Sequence, residues 1–139
     1  MLFPESGSRR TGGRGDRATS ALVAEDDPLT REVLRLVLAR KYPAMTVYFA
    51  TNGEEGLRLF REHAPGIVIT DISMPVMDGI QMSREIKAIA AATTIIVVTA
   101  YADVQSFLAD LSDAGIVDCI AKPVDFGQLE AAINRALDQ

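Results

Sequence analysis

Cysteine is nearly absent: Cys119 is the single one in 139 residues. That excludes an internal disulfide and any cysteine-rich zinc site, and it suits a reducing compartment. Long apolar runs are missing as well. Stretches such as Ile95 to Val98 fall far short of the ~20 residues a membrane span needs. The opening segment has no uninterrupted apolar stretch of signal-peptide type. What remains is ordinary: 48% apolar and 24% charged residues, in a length suited to one compact domain. The expectation is a single-domain cytoplasmic protein.

Charge is unevenly spread. The net charge is −5, yet residues 1–19 carry Arg9, Arg10, Arg14 and Arg17 against Glu5 and Asp16, leaving −7 on the rest. An acidic body repels nucleic acid phosphates, so no direct nucleic acid binding is expected of it. The Gly/Ser-rich basic stretch at 1–19 reads as a flexible leader, and residues 20–139 as the domain.

From Ser20 onward short apolar runs alternate with helical patterns. Ala21 to Ala24 is too short for a helix and ends at acids. Asp27-Pro28 then supplies an N-cap and a proline at the first helical position. Leu29, Val33, Leu36 and Val37 follow at helical spacing to about Lys41, where Tyr42-Pro43 stops the pattern. Thr46 to Ala50 reads as a strand. Asn52 caps a helix that turns Leu57 and Phe60 inward, and His63-Ala64-Pro65-Gly66 ends it. Gly66 to Thr70 is a buried strand ending at Asp71. A helix from about Ile80 to Ile89, with Met82, Ile86 and Ile89 on one face, precedes a strand at Thr94 to Val98. Asp103 opens a fourth helix with Val104, Phe107, Leu108 and Leu111 at core spacing, closed by Gly115. Val117 to Ala121 is the fifth strand, and Asp125 caps a last helix carrying Phe126, Leu129, Ile133 and Leu137. Five βα units with continuous apolar strands predict an α/β fold, a doubly wound parallel sheet with helices on both faces.

Ligands of such sheets bind beyond the carboxyl ends of the strands. There the first strand delivers Glu25 and Asp26, the third Asp71, the fourth Thr99 and the fifth Lys122. Two carboxylates ~4 Å apart repel by about 4 kcal/mol at an effective dielectric of ~20. Three acids with one lysine are under-compensated, so a divalent cation completes the set. Hard oxygen ligands without histidine or cysteine point to Mg2+, which favours a site shared with phosphate oxygens. Lysine as a point charge and threonine as a donor both suit a phosphoryl group. Taken singly, each residue also has a bland role: a helix cap, a solvated surface charge, a satisfied hydroxyl. For Asp27 the cap is preferred.

The stretches LVAEDDP with Arg31, TDISMPVMDG, VVTA and AKPV, in this order, resemble the receiver domain of two-component response regulators, over about Ala21 to Leu137. The resemblance implies a flavodoxin-like five-stranded sheet in the order 2-1-3-4-5. It implies that Asp71 is the phosphoacceptor, that Asp26 ligates Mg2+ directly and Glu25 through water, and that Ser73 lends a backbone carbonyl to the metal. Thr99 matches the hydroxyl that follows the phosphoryl group, Lys122 the lysine that contacts it, and Lys122–Pro123 a typically cis bond. Such a domain takes its phosphoryl group from a histidine kinase or phosphotransfer protein and switches an output partner or effector domain. It catalyses its own modification and turns over no separate substrate. The chain is then either a stand-alone regulator or part of a longer protein.

One departure stands out. Three residues before Lys122 the family usually has tyrosine or phenylalanine; here it is Cys119. Output is then transmitted differently, or the phosphorylation state is read through another surface, with Tyr101 a candidate cover for the site. The alternative function is a phosphorylation-independent interaction module of the same fold. Other phosphoryl and hydrolytic chemistries fail on motif: the first-strand slot reads EDDPLT rather than DxDxT, Asp71-Ile72-Ser73 lacks a second aspartate, an acidic loop repels a flavin phosphate, and a serine triad lacks its base because the only histidine, His63, lies at the end of a helix.

Overall fold

The computed structural model describes residues 20–138; the leader expected at 1–19 lies outside them. Strands β1 (Ser20–Ala24), β2 (Thr46–Ala50), β3 (Ile67–Thr70), β4 (Thr94–Ala100) and β5 (Asp118–Lys122) pair in parallel in the order β2-β1-β3-β4-β5. Between and after them run helices α1 (Pro28–Lys41), α2 (Gly53–His63), α3 (Gly79–Ile89), α4 (Tyr101–Ser106), α5 (Leu108–Asp113) and α6 (Phe126–Leu137). Among the described residues no helix is long and apolar enough to cross a membrane.

Each strand is apolar on both faces because each face carries helices. Leu22 and Ala24 of β1 pack with Leu57, Phe60, Met82, Ile86 and Leu111, from α2, α3 and α5. Ala21 and Val23 face the other way, onto Leu34 and Leu38 of α1 and Leu129, Ala132 and Ile133 of α6. The helix starts are fixed by local chemistry. Asp27, Asn52, Asp78 and Asp125 each accept a backbone N–H of the first helical turn through the side chain, satisfying donors that no helical partner can reach.

Four expectations need correction. The buried face of α1 is Leu34 and Leu38, whereas Leu29 is 73% and Leu36 55% exposed, Val33 is exposed and Val37 is half-buried. Helix α1 is apolar on two sides, and the inner side starts with Arg31, three residues before Leu34; a polar residue at that position hid the true stripe. The fourth helix begins at Tyr101 and breaks at Phe107 (φ −114°, ψ 18°) into two short pieces. Only Leu111 of its four expected core residues is buried, with Leu108 exposed and Val104 and Phe107 half-buried. Ile89, placed on the inner face of α3, is exposed. Strand β4 also runs two residues further than expected, so Thr99 belongs to the sheet itself.

Candidate functional site

Backbone bonds that continue past the strand ends align the acids. Glu25 N donates to Ala50 O (2.9 Å) and Asp71 N to Ala24 O (3.0 Å), so the first residues after β1 and β3 stay in sheet register. The side chains of Glu25 and Asp71 thus stand at neighbouring positions on the carboxyl edge, and Lys122 of β5 reaches over both. Its Nζ lies 2.7 Å from Asp71 Oδ2 and 2.9 Å from Glu25 Oε1.

Both Asp71 oxygens are engaged. Oδ1 accepts from Ile72 N (2.6 Å) and from the buried Thr99 hydroxyl, while Oδ2 faces Lys122. Thr70 Oγ1 donates to the Asp71 carbonyl (2.8 Å), and Gly79 N donates to Ile72 O (2.8 Å), folding the β3–α3 loop back on itself. Gly79 must be glycine there: a Cβ would run into the Asp71 carbonyl oxygen.

Glu25, Asp26 and Asp71 each offer one carboxylate oxygen, all within 4.8 Å of one another. Glu25 is 1% and Asp71 7% exposed, while Asp26 is exposed at the rim. Burial raises the Glu25 pKa above the ordinary glutamate value, outweighing the Lys122 and Asp27 N–H bonds that favour its charged form, and the nearby Asp71 adds to the rise. Burial alone would push the Lys122 pKa down; its bonds to Asp71 and Glu25 overcome this and hold it above the usual lysine value. Three carboxylates against one ammonium leave an excess of two negative charges. The Asp26 carboxylate makes no hydrogen bond or ion pair among the described residues. All-oxygen donors, a charge deficit and one carboxylate open to solvent fit a hard divalent cation.

The structure therefore gathers Glu25, Asp26, Asp71, Thr99 and Lys122. Ser73 sits on the same loop, exposed, with its hydroxyl donating to Asp103 Oδ2 (2.8 Å). By sequence pattern Asp103 only opens a helix. The Lys122–Pro123 bond is cis. Cys119 is half-buried against the α2/α3/α5 core, and burial raises its thiol pKa. Tyr101 is exposed at the start of α4. Arg31, which marked the motif in sequence, contributes a contact that spacing did not reveal: its Nη1 donates to the carbonyl oxygens of Glu25 (2.8 Å) and Asp26 (3.4 Å).

Comparison with known proteins follows the same lines. The family model of the response regulator receiver domain matches residues 21–134. The chemotaxis protein CheY of Bacillus subtilis is 36% identical over 117 residues, covering 84% of this chain and 96% of that protein. The probable C4-dicarboxylate response regulator DctR of Priestia megaterium is 33% identical over 119 residues, covering 86% of this chain but 52% of the relative. The regulatory protein AtoC of Escherichia coli is 34% identical, with only 24% of its length covered. The chain thus spans about half or less of several relatives and nearly all of CheY. Among solved structures, a response regulator receiver domain protein from Clostridium thermocellum superposes with TM-score 0.77 at 30% identity, covering 86% of this chain and 94% of that one. The N-terminal domain of a Wolinella succinogenes protein gives 0.76 at 35% identity, covering 84% and 92%.

Proposed function

Because the chain belongs to the response regulator receiver domain family of two-component systems, we propose that Asp71 accepts a phosphoryl group from the phosphohistidine of a kinase or phosphotransfer protein. The observation that carries this is the double grip on Asp71: Lys122 on one oxygen, Thr99 and the Ile72 N–H on the other. Such donors hold the carboxylate in one orientation, which lowers the entropy cost of in-line attack. An Asp71 oxygen forms the new O–P bond as the histidine N–P bond breaks, and the imidazole leaves with the electron pair. The product is an acyl phosphate, later opened by water to restore the carboxylate and release phosphate.

Lys122 stands ready to neutralise charge on the transferred group, and the Thr99 hydroxyl is freed to donate to a phosphoryl oxygen once Asp71 Oδ1 is no longer a full anion. Mg2+ fits the remaining charge excess; Asp26, Asp71 and the Ser73 carbonyl would hold it, with Glu25 through water, and when bound it neutralises the phosphoryl oxygens. The domain modifies itself and releases no product from a separate substrate. The added charge at Asp71 shifts a population between packings of the β4–α4 and β5–α6 units, and an output protein or effector domain reads that shift. An acidic surface argues against direct nucleic acid contact, and the composition supports a cytoplasmic site of action.

Acetyl phosphate with Mg2+ tests the reading. Intact mass should rise by one phosphoryl group, and beryllofluoride should shift the Ile72 amide resonance, because that N–H donates to Asp71 Oδ1. Asp71→Asn should abolish both. Neither change in the parent chain would instead favour a phosphorylation-independent interaction module.

A further inference from the structure

An arginine beside a cation site is at first sight misplaced, since its charge opposes the ion. Arg31 resolves this by where its donors go. From the first turn of α1 (Pro28–Lys41) its Nη1 reaches back to the carbonyl oxygens of Glu25 and Asp26, at 2.8 and 3.4 Å, and to neither carboxylate. Those two residues bear two of the three clustered acids. The loop that carries them has few other ties. Glu25 N bonds Ala50 O, Asp27 N bonds Glu25 Oε2 (3.1 Å), and the Asp27 side chain is used up on Thr30 N and Oγ1. Among the described residues Asp26, exposed and at the centre of this turn, is held through its carbonyl alone, and Arg31 is the residue that holds it.

We propose that Arg31 is a positioning residue of the acidic site: it fixes the β1–α1 loop by its carbonyls so that the Asp26 carboxylate stays oriented and unshared, available to a divalent cation. The proposal rests on the divalent-cation reading of Glu25, Asp26 and Asp71. A side chain that bonded the Asp26 carboxylate directly would compete with the ion; one that bonds the carbonyls orders the same loop and leaves the Asp26 carboxylate open. Groups behind the ligands that orient them in this way typically change metal affinity by roughly ten- to a hundredfold. The arginine also suits the task better than lysine, because one planar head presents several N–H donors in fixed directions to two neighbouring oxygens.

The sign of one measurement decides. Titrate Mg2+ alone into the parent chain and into Arg31→Met, following the Asp26 and Asp27 amide resonances, without any phosphodonor. If Arg31 acts by position, the dissociation constant rises roughly tenfold in the variant. If it acts only as a nearby positive charge, its removal tightens Mg2+ binding. Tighter or unchanged binding therefore overturns the proposal. At saturating Mg2+ the variant should regain the parent's rate of labelling by acetyl phosphate, since Arg31 touches no reacting atom; a rate still depressed at saturation also overturns it. Should Arg31→Met fail to fold, Arg31→Lys keeps the charge but loses the planar head whose Nη1 meets both carbonyls, and its binding should be weaker than the parent's; equal binding refutes the role. Failure of the underlying reading looks different: the parent itself would not bind Mg2+, or Asp26→Asn would bind it as tightly as the parent.

Discussion

Replacing Lys122 by methionine removes the ammonium that bridges Asp71 and Glu25. The ammonium lies 2.7 and 2.9 Å from its two partners. At an effective dielectric of ~20 each contact corresponds to about 6 kcal/mol of Coulomb attraction. Desolvation of the three groups offsets most of this, and deleting one member of a buried pair typically costs about 3–5 kcal/mol. Lys122 keeps a quarter of its side chain in water, so the lower end applies. For a domain of this size 1 kcal/mol is roughly 4 °C, so the midpoint in EDTA should fall by roughly 12 °C. Two conditions should shrink the loss. Mg2+ should restore more stability to the variant than to the parent, because three carboxylates without a competing ammonium bind it more tightly. Lower pH should do the same. Burial already raises the Glu25 pKa, and without Lys122 it rises further; a carboxyl that binds its proton more tightly when folded gains stability as pH falls through that raised value. In the parent the lysine titrates with the same sign in a more alkaline window: its folded pKa is raised, so its contribution is complete below the ordinary lysine value and disappears as pH climbs through the raised one. Thermal melts in EDTA and in Mg2+, at about pH 7 and about pH 5.5, read both effects. An unchanged midpoint in EDTA, or equal stabilisation of both chains by Mg2+, would refute the charge argument.

Gly79→Ala should lower stability by about 1–3 kcal/mol, since its Cβ collides with the Asp71 carbonyl, a backbone atom that cannot step aside; a parent-like denaturant midpoint would contradict this. Ser73→Ala and Asp103→Ala each remove the Ser73 Oγ–Asp103 Oδ2 hydrogen bond that ties α4 to the β3–α3 loop. At about 1 kcal/mol for such a bond, amide exchange across Tyr101–Ser106 should accelerate roughly fivefold in either variant, and no further in the double variant. Burial raises the Cys119 pKa, so iodoacetamide should label it more slowly than a free thiol at neutral pH and catch up only as pH rises well above ~8.5; a free-thiol rate profile would show the side chain to be open. Leu29 and Leu36 form an exposed apolar stripe beginning three residues after Asp26. Changing both to aspartate should slow transfer from a phosphohistidine protein while leaving labelling by acetyl phosphate intact, and equal loss with both donors would count against a docking role.

The layered fold was legible because its signals are local and redundant. Continuous apolar runs such as Ile95 to Val98 announce strands covered on both faces, and Asp27, Asn52 and Asp125 mark helix starts by a bond each makes within its own first turn. Where two signals competed, the sequence misled. Helix α1 has apolar residues on two sides, and spacing alone favours Leu29, Val33 and Leu36. The sheet selects the other side because Leu34 and Leu38 lie in line with Arg31, whose head is committed to the loop beneath. The break at Phe107 has no Gly or Pro to announce it, and with no buried residue on α4 the segment has little packing to impose regularity.

The site divides in the same way, between what topology dictates and what side-chain geometry decides. That Glu25, Asp26, Asp71, Thr99 and Lys122 share an edge follows from parallel strands of matched register, which bring five residues from the ends of four separate strands together. How their charges are balanced does not follow from topology. Lys122 spends itself on Glu25 and Asp71, the two buried acids, and leaves Asp26 with none of it. Arg31, the nearest further cation by chain, turns to carbonyls instead. Both choices leave uncompensated charge at the exposed carboxylate, where solvent and ions have access. Among the described residues the most accessible of the three acids thus stays unpaired, and a carboxylate left so is open to a hard divalent cation.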